Sequence, residues 1–472
     1  MVFSIMLKIK NLKFMKIKSA ILAMVLTHAS YATTLEEALI STYNTNQTLK
    51  QYRMDFLVSA EGCAEARSGY FPDISAQVEV DHSLSRPKSR YKDSNNDPIL
   101  EALGIDVSKT KKRVVQNTLA VKQNLFNGQT YATVKAVNLA FKAARAQLES
   151  QEQKVLFDAV TAYLDYELAK AKYDASNASV NFNSKNVEAI EAKLKVGEAN
   201  NTEVAIAQSG LSNAKSEQAQ AFSDLEGKKA DFLEKIGIVP SETESSKLPN
   251  LPASLAEFKA KVLEFSPSLE YARQNAKSSK AQIAAVAGSL LPSLDLQFAF
   301  TRTHNDPETR SSYNRSGVTS ALTLSIPIFS KGGASYSKLR QTKYQARKAA
   351  YAADYQARQI DSQIIFLWES LQSLRSALES ATVALEAQQL AFDGTMQEFK
   401  LGLKDILAVL KVESDLTKVK INKATVLRNY IFQAYQMKMF MGELTAKKLQ
   451  LKVDYFDPNK ELRKIKAPLV HF

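Results

Sequence analysis

Apolar residues alternate with polar ones in four short segments of this chain, two in each half. A period of two residues is typical of a β-strand with one apolar face and one polar face. One segment in each half begins just after a proline, Pro72 or Pro292, and a second returns after a polar stretch. The pattern predicts two β-hairpins, at residues 73–126 and 293–329, with strands of about ten residues. The apolar members are Ile74, Ala76, Val78 and Val80; Leu119 and Val121; Leu294, Leu296, Phe298 and Phe300; and Leu322, Leu324, Ile326 and Ile328.

Long stretches after each hairpin are free of helix-breaking residues. Residues 129–196 contain neither Gly nor Pro, and residues 334–401 contain only Gly394. At about 1.5 Å per residue, each stretch could form a helix about 100 Å long. Their apolar residues step by four and three, which is the heptad spacing that packs helix against helix. These seams are Val155, Ala159, Ala162, Tyr166, Ala169 and Tyr173 in the first half, and Ile360, Ile364, Leu367, Leu371, Leu374 and Leu378 in the second.

The same order of elements occurs twice, which predicts an internal duplication. A helix from Thr34 to about Ser68 precedes the first hairpin, and its counterpart runs from Ser254 to about Ser289. We therefore divide the chain into a first repeat at 33–250, a second repeat at 251–445 and a C-terminal tail at 446–472. Matching residues at an offset of 220 are Leu35 and Leu255, Glu37 and Glu257, Leu49 and Leu269, Ala64 and Ala284, Pro72 and Pro292, and Gln77 and Gln297.

The first 32 residues predict an export signal. Five lysines precede an apolar run from Ala20 to Leu26, and Ser30-Tyr31-Ala32 offers small residues for cleavage. Met15 is an alternative start to Met1. An uncleaved membrane anchor is the other interpretation, but the apolar run is shorter than the roughly 20 residues that a spanning helix needs.

Charge and side-chain chemistry exclude several classes of function. The net charge is +13, but the lysines are dispersed among glutamates along helices rather than grouped beside aromatic residues, so we expect no nucleic-acid partner. Cys63 is the only cysteine, and none of the four histidines has an acid or cysteine at ligand spacing. We therefore expect a protein that is not an enzyme and has no cofactor and no metal.

Strands with one apolar face match the wall of a lipid-embedded barrel, although a half-buried sheet in a soluble protein gives the same alternation. The lipid-facing interpretation is favoured because the hairpins are isolated and nothing else in the chain could cover their apolar faces. Four strands cannot close a barrel, since the smallest has eight and open edges within lipid are prohibitive. The chain must then assemble with copies of itself, and two or three copies would both satisfy this requirement.

Several short motifs, in this order, resemble the TolC-type outer-membrane efflux family (outer membrane factors) across nearly all of the chain after the signal. They are Phe71-Pro72-Asp73, Leu125-Phe126-Asn127-Gly128, Val196-Gly197, Leu291-Pro292-Ser293, Pro327-Ile328-Phe329-Ser330 and Leu401-Gly402. The resemblance implies a mainly α fold with a β-barrel part: a homotrimer whose twelve strands form one barrel in outer-membrane lipid, continued by a periplasmic α-helical tunnel. The segments around 233–255 and 440–472 would band the middle of this tunnel.

The same resemblance implies a passive exit duct of a tripartite efflux or type I secretion system. A periplasmic adaptor (membrane fusion protein) and an inner-membrane transporter would be its partners and would supply the energy. It also implies three groups of site residues. These are a periplasmic gate of Thr202, Glu203, Phe399, Lys404 and Asp405; a constriction lining of Ala408 and Lys411; and adaptor-docking tips at Gly197, Glu198, Gly402 and Leu403.

This chain departs from the family pattern at the gate and at the constriction. Lys404 stands where the family has an arginine that bonds a Thr-Asp pair, so a latch to Thr202 and Glu203 should be looser because lysine lacks the bidentate fork. Phe399 replaces a tyrosine and cannot donate a hydrogen bond. Simple solvated surface charges remain the alternative interpretation of Lys404 and Glu203.

At the constriction, Ala408 and Lys411 replace two acids of the family pattern. The two positions share one helix face by their spacing of three residues. Three copies of Lys411 would repel cations, and we therefore expect a weaker cation preference than an acidic ring gives.

Two other functions compete with the exit duct. A soluble periplasmic coiled-coil adaptor or chaperone would also have lysine-rich helices and little glycine, but it needs no paired apolar-faced hairpins. A filamentous scaffold predicts uninterrupted heptads, which the hairpins contradict.

Overall fold

A computed structural model describes residues 33–85, 110–240, 246–307, 313–329 and 331–461. The predicted signal at 1–32 lies outside the described residues. The described chain divides into two units. The first contains residues up to Met54, Gln147–Leu269 and Ala357–Asp457, and the second contains Asp55–Ala146, Glu270–Gln356 and the residues from Pro458 onward.

The second unit contains one antiparallel sheet of four strands in the order β1-β2-β3-β4. The strands are β1 (Asp73–Ser85), β2 (Thr110–Asn127), β3 (Ser293–Pro307) and β4 (Tyr313–Ser325). The expectation of two isolated hairpins is wrong, because β2 pairs with β3 from Lys112 opposite Pro307 to Asn127 opposite Ser293. The strands have 13 to 18 residues rather than about ten.

The last strand ends earlier than the alternation predicts. β4 stops at Ser325, so Ile326 and Ile328 lie outside the sheet although they continue the apolar pattern. Pro327 is the physical reason, since it has no N–H to donate to a strand ladder. The structure therefore corrects the second hairpin at its C-terminal end.

The two long helices predicted from the absence of Gly and Pro are confirmed. Helix α3 is the 68-residue segment Gly128–Lys195, and α7 is the 67-residue segment Ala334–Lys400. Helices α4 (Asn201–Ile236) and α8 (Ile406–Phe440) follow them after short turns. The residues of the two predicted heptad seams all lie in the first unit. Most of them are buried, while Tyr173, Leu374 and Leu378 are half-buried.

The helix before each hairpin is broken, where the sequence predicts one continuous helix. The first half has α1 (Leu35–Thr45) and α2 (Gln47–Ser68), and the second has α5 (Leu255–Phe265) and α6 (Pro267–Gly288). Both breaks are extended residues, Asn46 with ψ 122 and Ser266 with ψ 115.

The two breaks have different causes. Pro267 disfavours helical geometry at the residue before it, which is Ser266. Asn46 instead starts a new helix, because its Oδ1 accepts the N–H of Leu49 at 3.1 Å.

In the core of the first unit, α3 packs against residues near both ends of the described chain. Tyr163 on α3 is fully buried and donates its hydroxyl to the Thr33 carbonyl at 2.8 Å. Beyond α8, Leu444, Ala446 and Leu451 are buried in the same cluster. No helix in the described ranges is both long enough and apolar enough to cross a membrane.

Candidate functional site

The predicted site residues gather around the two turns of the first unit that follow the long helices. At the first turn Gly197 has φ +81, and the Glu198 N–H bonds the Lys193 carbonyl at 2.9 Å. At the second turn Gly402 has φ +77, and the Leu403 N–H bonds the Glu398 carbonyl at 2.9 Å. In both turns the glycine adopts a left-handed conformation, and the N–H of the next residue then bonds a carbonyl in the last turn of the helix. Glycine adopts this conformation more readily than residues with a side chain, which is why it occupies both positions.

The turns expose apolar side chains. Val196, Leu401 and Leu403 are more than 70% exposed, at 71%, 74% and 72%. A Cβ built on Gly197 or Gly402 would meet nothing within 4 Å, so both glycines border open space. The predicted docking tips therefore present apolar surface that the described part of this chain does not cover.

The predicted gate acids both serve as helix caps. Glu203 forms a capping box with Asn200: the Asn200 N–H bonds the Glu203 Oε2 at 2.9 Å, and the Glu203 N–H bonds the Asn200 Oδ1 at 2.9 Å. Asp405 precedes α8, and its Oδ1 accepts the Ala408 N–H at 2.9 Å. These hydrogen bonds satisfy N–H groups that the first helical turn leaves without partners.

Lys404 forms no latch with Thr202 or Glu203 among the described residues of one chain. It is exposed and makes no hydrogen bond to Thr202 and no ion pair within 4.0 Å to Glu203. Thr202 is also exposed. The latch that the family resemblance implies therefore stays a prediction.

The ring of Phe399 contacts the ammonium group of Lys193, although Phe399 has no hydroxyl to donate. The Lys193 Nζ lies 4.8 Å from the centroid of its ring, within the range of a cation–π contact. The ring is half-buried against an apolar cluster. The buried members of that cluster are Val187, Ile190, Ala207, Ile406 and Val409.

The predicted constriction residues lie on α8. Ala408 is half-buried and Lys411 is exposed, and Lys411 has no ion pair within 4.0 Å among the described residues. The nearest acid along the helix, Glu413, is 7% exposed and accepts the Thr417 hydroxyl at 3.1 Å. The positive charge of Lys411 is therefore not paired with any acid in the described part of the chain.

A buried polar seam on α3 was missed by the sequence analysis. Asn183 donates through Nδ2 to the Ser179 carbonyl at 2.8 Å. A Cβ on Gly210 of α4 would lie 3.2 Å from Asn183 Oδ1 and 3.3 Å from Leu410 Cδ1 of α8, so three helices meet there. The seam continues the steps of three and four residues past Tyr173, which is the signal that could have revealed it. Its buried members are Ser176, Ser179, Asn183 and Asn186.

No group of three or more His, Cys, Asp or Glu in the described ranges could hold a metal ion. Charge at the turns is used for helix capping and for the cation–π contact. The arrangement offers exposed apolar tips, an unpaired lysine on α8 and a tightly packed polar seam.

Comparison with known proteins identifies relatives over most of the chain. The family model for outer membrane efflux proteins matches residues 37–229 and 260–443. The outer membrane efflux protein BepC of Brucella suis biovar 1 (strain 1330) is 27% identical over an alignment of 444 residues that covers 93% of this chain and 91% of BepC.

Solved structures share the fold at low identity. The CmeC outer membrane channel of Campylobacter jejuni superposes with a TM-score of 0.72 at 14% identity, covering 92% of this chain and 89% of CmeC. The open state of the MtrE outer membrane channel of Neisseria gonorrhoeae gives a TM-score of 0.68 at 15% identity, covering 88% and 90%. The fold is accordingly that of these channels, mainly helical with a few strands.

The family match extends over both halves of the chain and confirms the resemblance that the short motifs indicated. The protein is located in the outer membrane and extends into the periplasm, and it acts as an exit duct, not as a soluble periplasmic adaptor. The chain belongs to the outer membrane efflux protein family, a family of channel proteins.

Proposed function

We propose that three copies of this chain form the passive exit duct of a tripartite efflux or type I secretion system. Each copy contributes two repeats and four strands to one twelve-stranded barrel, and its long helices line a periplasmic tunnel. A periplasmic adaptor and an inner-membrane transporter bind the duct and supply the energy.

The observation that carries this proposal is a sheet with one uncovered apolar face. On that face Ile74, Val78, Val318 and Leu322 are 66%, 69%, 73% and 64% exposed. Burying exposed apolar surface is worth about 25 cal/mol per Å², so a face of this kind favours a lipid environment over water. The sheet ends at β1 and β4, and edge strands inside lipid need partners from other copies.

A belt of exposed aromatic residues supports the position of the bilayer. Phe71, Phe126 and Phe329 are 66%, 56% and 73% exposed, and they lie where the strands meet the helices. Tyr131, in the first turn of α3, is 71% exposed. Membrane barrels place aromatic girdles at the two water interfaces, so this belt fits the periplasmic one.

Migration on a semi-native gel tests the barrel directly. An outer-membrane detergent extract should give a slowly migrating trimer that converts to a monomer on boiling. A protein that fractionates as a freely soluble monomer would overturn the proposal.

We place the gate and the docking tips at the helix turns, with Lys404 bonding Thr202 and Glu203 and with Phe399 beside them. Because lysine makes a point contact rather than a fork, such a latch should open more readily than an arginine latch. In vivo crosslinking from Glu198 and Leu403 should capture the adaptor. Capture from Tyr355, an exposed residue of α7 distant in sequence from both turns, at the same yield would argue against docking at the tips.

The constriction has a weak cation preference because Lys411 stands unpaired. In planar bilayers, Lys411→Ala should raise the permeability ratio of cations to anions, and Lys411→Glu should raise it further. Lys418→Ala is the matched control, since the Lys418 Nζ lies 3.6 Å from Asp415 Oδ1 on the same helix. Strong cation selectivity in the natural protein that Lys411→Ala leaves unchanged would contradict this assignment.

A further inference from the structure

The register of the sheet places Arg113 and Arg302 on one face and most of the acids of the sheet on the other. We call the face with Ile74, Leu119 and Phe298 the outer face, since it contains the uncovered apolar residues. Toward the helices this face is mainly apolar through Phe300 on β3, with Gln123 and Ser320 as its polar members. Its apolar members there are Ile74 and Ala76; Leu119 and Val121; Leu294, Leu296, Phe298 and Phe300; and Val318, Leu322 and Leu324.

Beyond Phe300 two arginines and two histidines occur on the outer face, beside the apolar residues Val78, Val80 and Val115. Arg302 follows Phe300 by two residues on β3, and Arg113 on β2 stands opposite His82 of β1. His304 lies between the two arginines in the register, and its Nδ1 is 2.6 Å from the Asn314 Oδ1. We call Arg113, Arg302, His82 and His304 the basic collar.

The collar side chains are exposed. Within the part of the chain that the structure describes, Arg113 and Arg302 make no ion pair within 4.0 Å. Asp306 is the register partner of Arg113 and is the one acidic position of the outer face in these strands. The acids of the sheet otherwise lie on the opposite face, at Asp73, Glu79, Asp81 and Asp295.

The depth of the collar matches the outer boundary of a membrane. Arg302 lies eight residues beyond Leu294 on β3, and Arg113 is level with Asp306, twelve residues beyond Leu294. With a rise of about 3.3 Å per residue and a strand tilt of about 40°, these positions lie about 20 Å and about 30 Å across the bilayer from Leu294. They bracket the roughly 25 Å height of the apolar band of a membrane barrel.

We propose that the basic collar binds the phosphate groups of lipids in the outer leaflet of the outer membrane. This inference rests on the proposed barrel, which turns the outer face toward lipid. The collar is at the hairpin ends of the strands, away from the helices of the periplasmic part, so it meets the outer leaflet.

Guanidinium groups suit this ligand because their planar fork bonds two phosphate oxygens at once. His82, opposite Arg113, adds an N–H donor, and His304 adds one when both of its ring nitrogens are protonated, because its Nδ1 already contacts the Asn314 Oδ1. Three copies would place the same set of groups at three positions around the barrel, next to the apolar band that holds the acyl chains.

Binding of a phosphorylated lipid to the full-length trimer tests the inference. The probe is lipid A with both phosphates, added to the purified protein in neutral detergent, and the test variant is Arg113→Gln with Arg302→Gln. Arg315→Gln is the matched control, because Arg315 is exposed and lies on the opposite face of the same sheet, opposite Thr303.

We expect the natural protein and the Arg315→Gln variant to bind the lipid equally, and the double variant to bind at least tenfold more weakly. Lipid A without phosphates should bind the natural protein as weakly as it binds the double variant, and inorganic phosphate at equal concentration should not compete. Equal binding by the double variant, or competition by inorganic phosphate alone, would overturn the inference.

A second measurement separates this inference from the proposed function. All three proteins should migrate as heat-sensitive trimers and conduct in planar bilayers, which shows that the arginine changes leave the barrel intact. Failure of the natural protein to insert into bilayers would contradict the proposed barrel itself. Normal insertion, with lipid binding that is unchanged in the double variant at Arg113 and Arg302, would contradict only the lipid-binding role of the collar.

Discussion

Replacing Gly288 by alanine would place a methyl group against the backbone of a neighbouring helix. Gly288 is the last residue of α6, and a Cβ built on it lies 2.6 Å from both the N and the Cα of Gln129 and 2.7 Å from the carbonyl carbon of Gly128. These atoms belong to the first turn of α3 and cannot move as a flexible side chain would. The close approach lies within the second unit, where the helices join the sheet.

The size of the effect follows from this geometry. Ordinary van der Waals contact begins at 3.4 Å, so the two helix ends must separate by roughly 0.8 Å to admit the methyl group. Overpacking of this kind costs about 1–3 kcal/mol. Alanine gains at most about 1 kcal/mol over glycine in a helix, so the steric cost wins and the variant should be less stable.

Gly227→Ala is the matched control. Gly227 lies inside α4, and a Cβ there meets nothing within 4 Å. This variant should be more stable than the natural protein by about 0.5–1 kcal/mol because alanine favours the helix. Because the helix gain of alanine is shared by both variants, they should differ by the steric cost of about 1–3 kcal/mol, measured as urea unfolding free energies of the protein in detergent.

Equal stability of the two alanine variants would refute the close approach of α6 and α3. A loss of stability in Gly227→Ala as large as in Gly288→Ala would refute it as well, because open space at residue 227 offers no steric cause.

Three further predictions concern the first unit. Gly402→Val should cost about 1–2 kcal/mol because φ is +77, whereas Gly402→Asn should cost less because asparagine tolerates left-handed geometry; equal urea midpoints would contradict this. Arg428 bonds Asp165 through Nη2 at 2.6 Å and Nε at 2.9 Å, so a double-mutant cycle with Arg428→Met and Asp165→Asn should give a coupling of about 1–2 kcal/mol. A coupling near zero would show that the pair contributes nothing across α3 and α8. Burial raises the pKa of Glu152 above its ordinary value of 4.5, although the Ala446 N–H that it accepts at 2.8 Å opposes this. The ionised form is therefore the costly one, and the advantage of Glu152→Gln in unfolding free energy at pH 7 should shrink as the pH falls toward 4.5. An advantage that stays constant or grows as the pH falls from 7 to 4.5 would contradict this sign.

The helical part of the fold could be predicted because its signals are local. Glycine at 197 and 402 and the absence of Gly and Pro before them fix where α3 and α7 run, and the heptad steps identify most of the buried seam. Breaks between α1 and α2 and between α5 and α6 also have local signals, at Asn46 and at Pro267, but these were outweighed by the continuous apolar pattern.

The sheet and the turns could be predicted only in part. Pairing of β2 with β3 joins residues about 180 positions apart, and no local pattern specifies such a partner. At the turns, the spacing of Asn200 and Glu203 is that of a capping box, a signal that competes with the gate role assigned to Glu203. The polar seam at Ser179 and Asn183 was missed because an apolar pattern was sought, although burial there follows helix packing rather than residue polarity.

The central claim is that the edge strands β1 and β4 pair between copies to close one barrel, and disulfide trapping in intact outer membranes tests it most directly. In a Cys63→Ala background, Ser75→Cys on β1 is combined in turn with cysteine at Gly317, Thr319, Ala321 and Thr323, the positions of β4 on the same face. Ala120→Cys with Ala299→Cys is the positive control, because these residues are register partners on β2 and β3 of one chain. The account predicts that at least one β1–β4 combination yields covalent dimers and trimers under oxidation, and that the control crosslinks only within a monomer. A control that crosslinks while every β1–β4 combination stays monomeric would contradict the barrel.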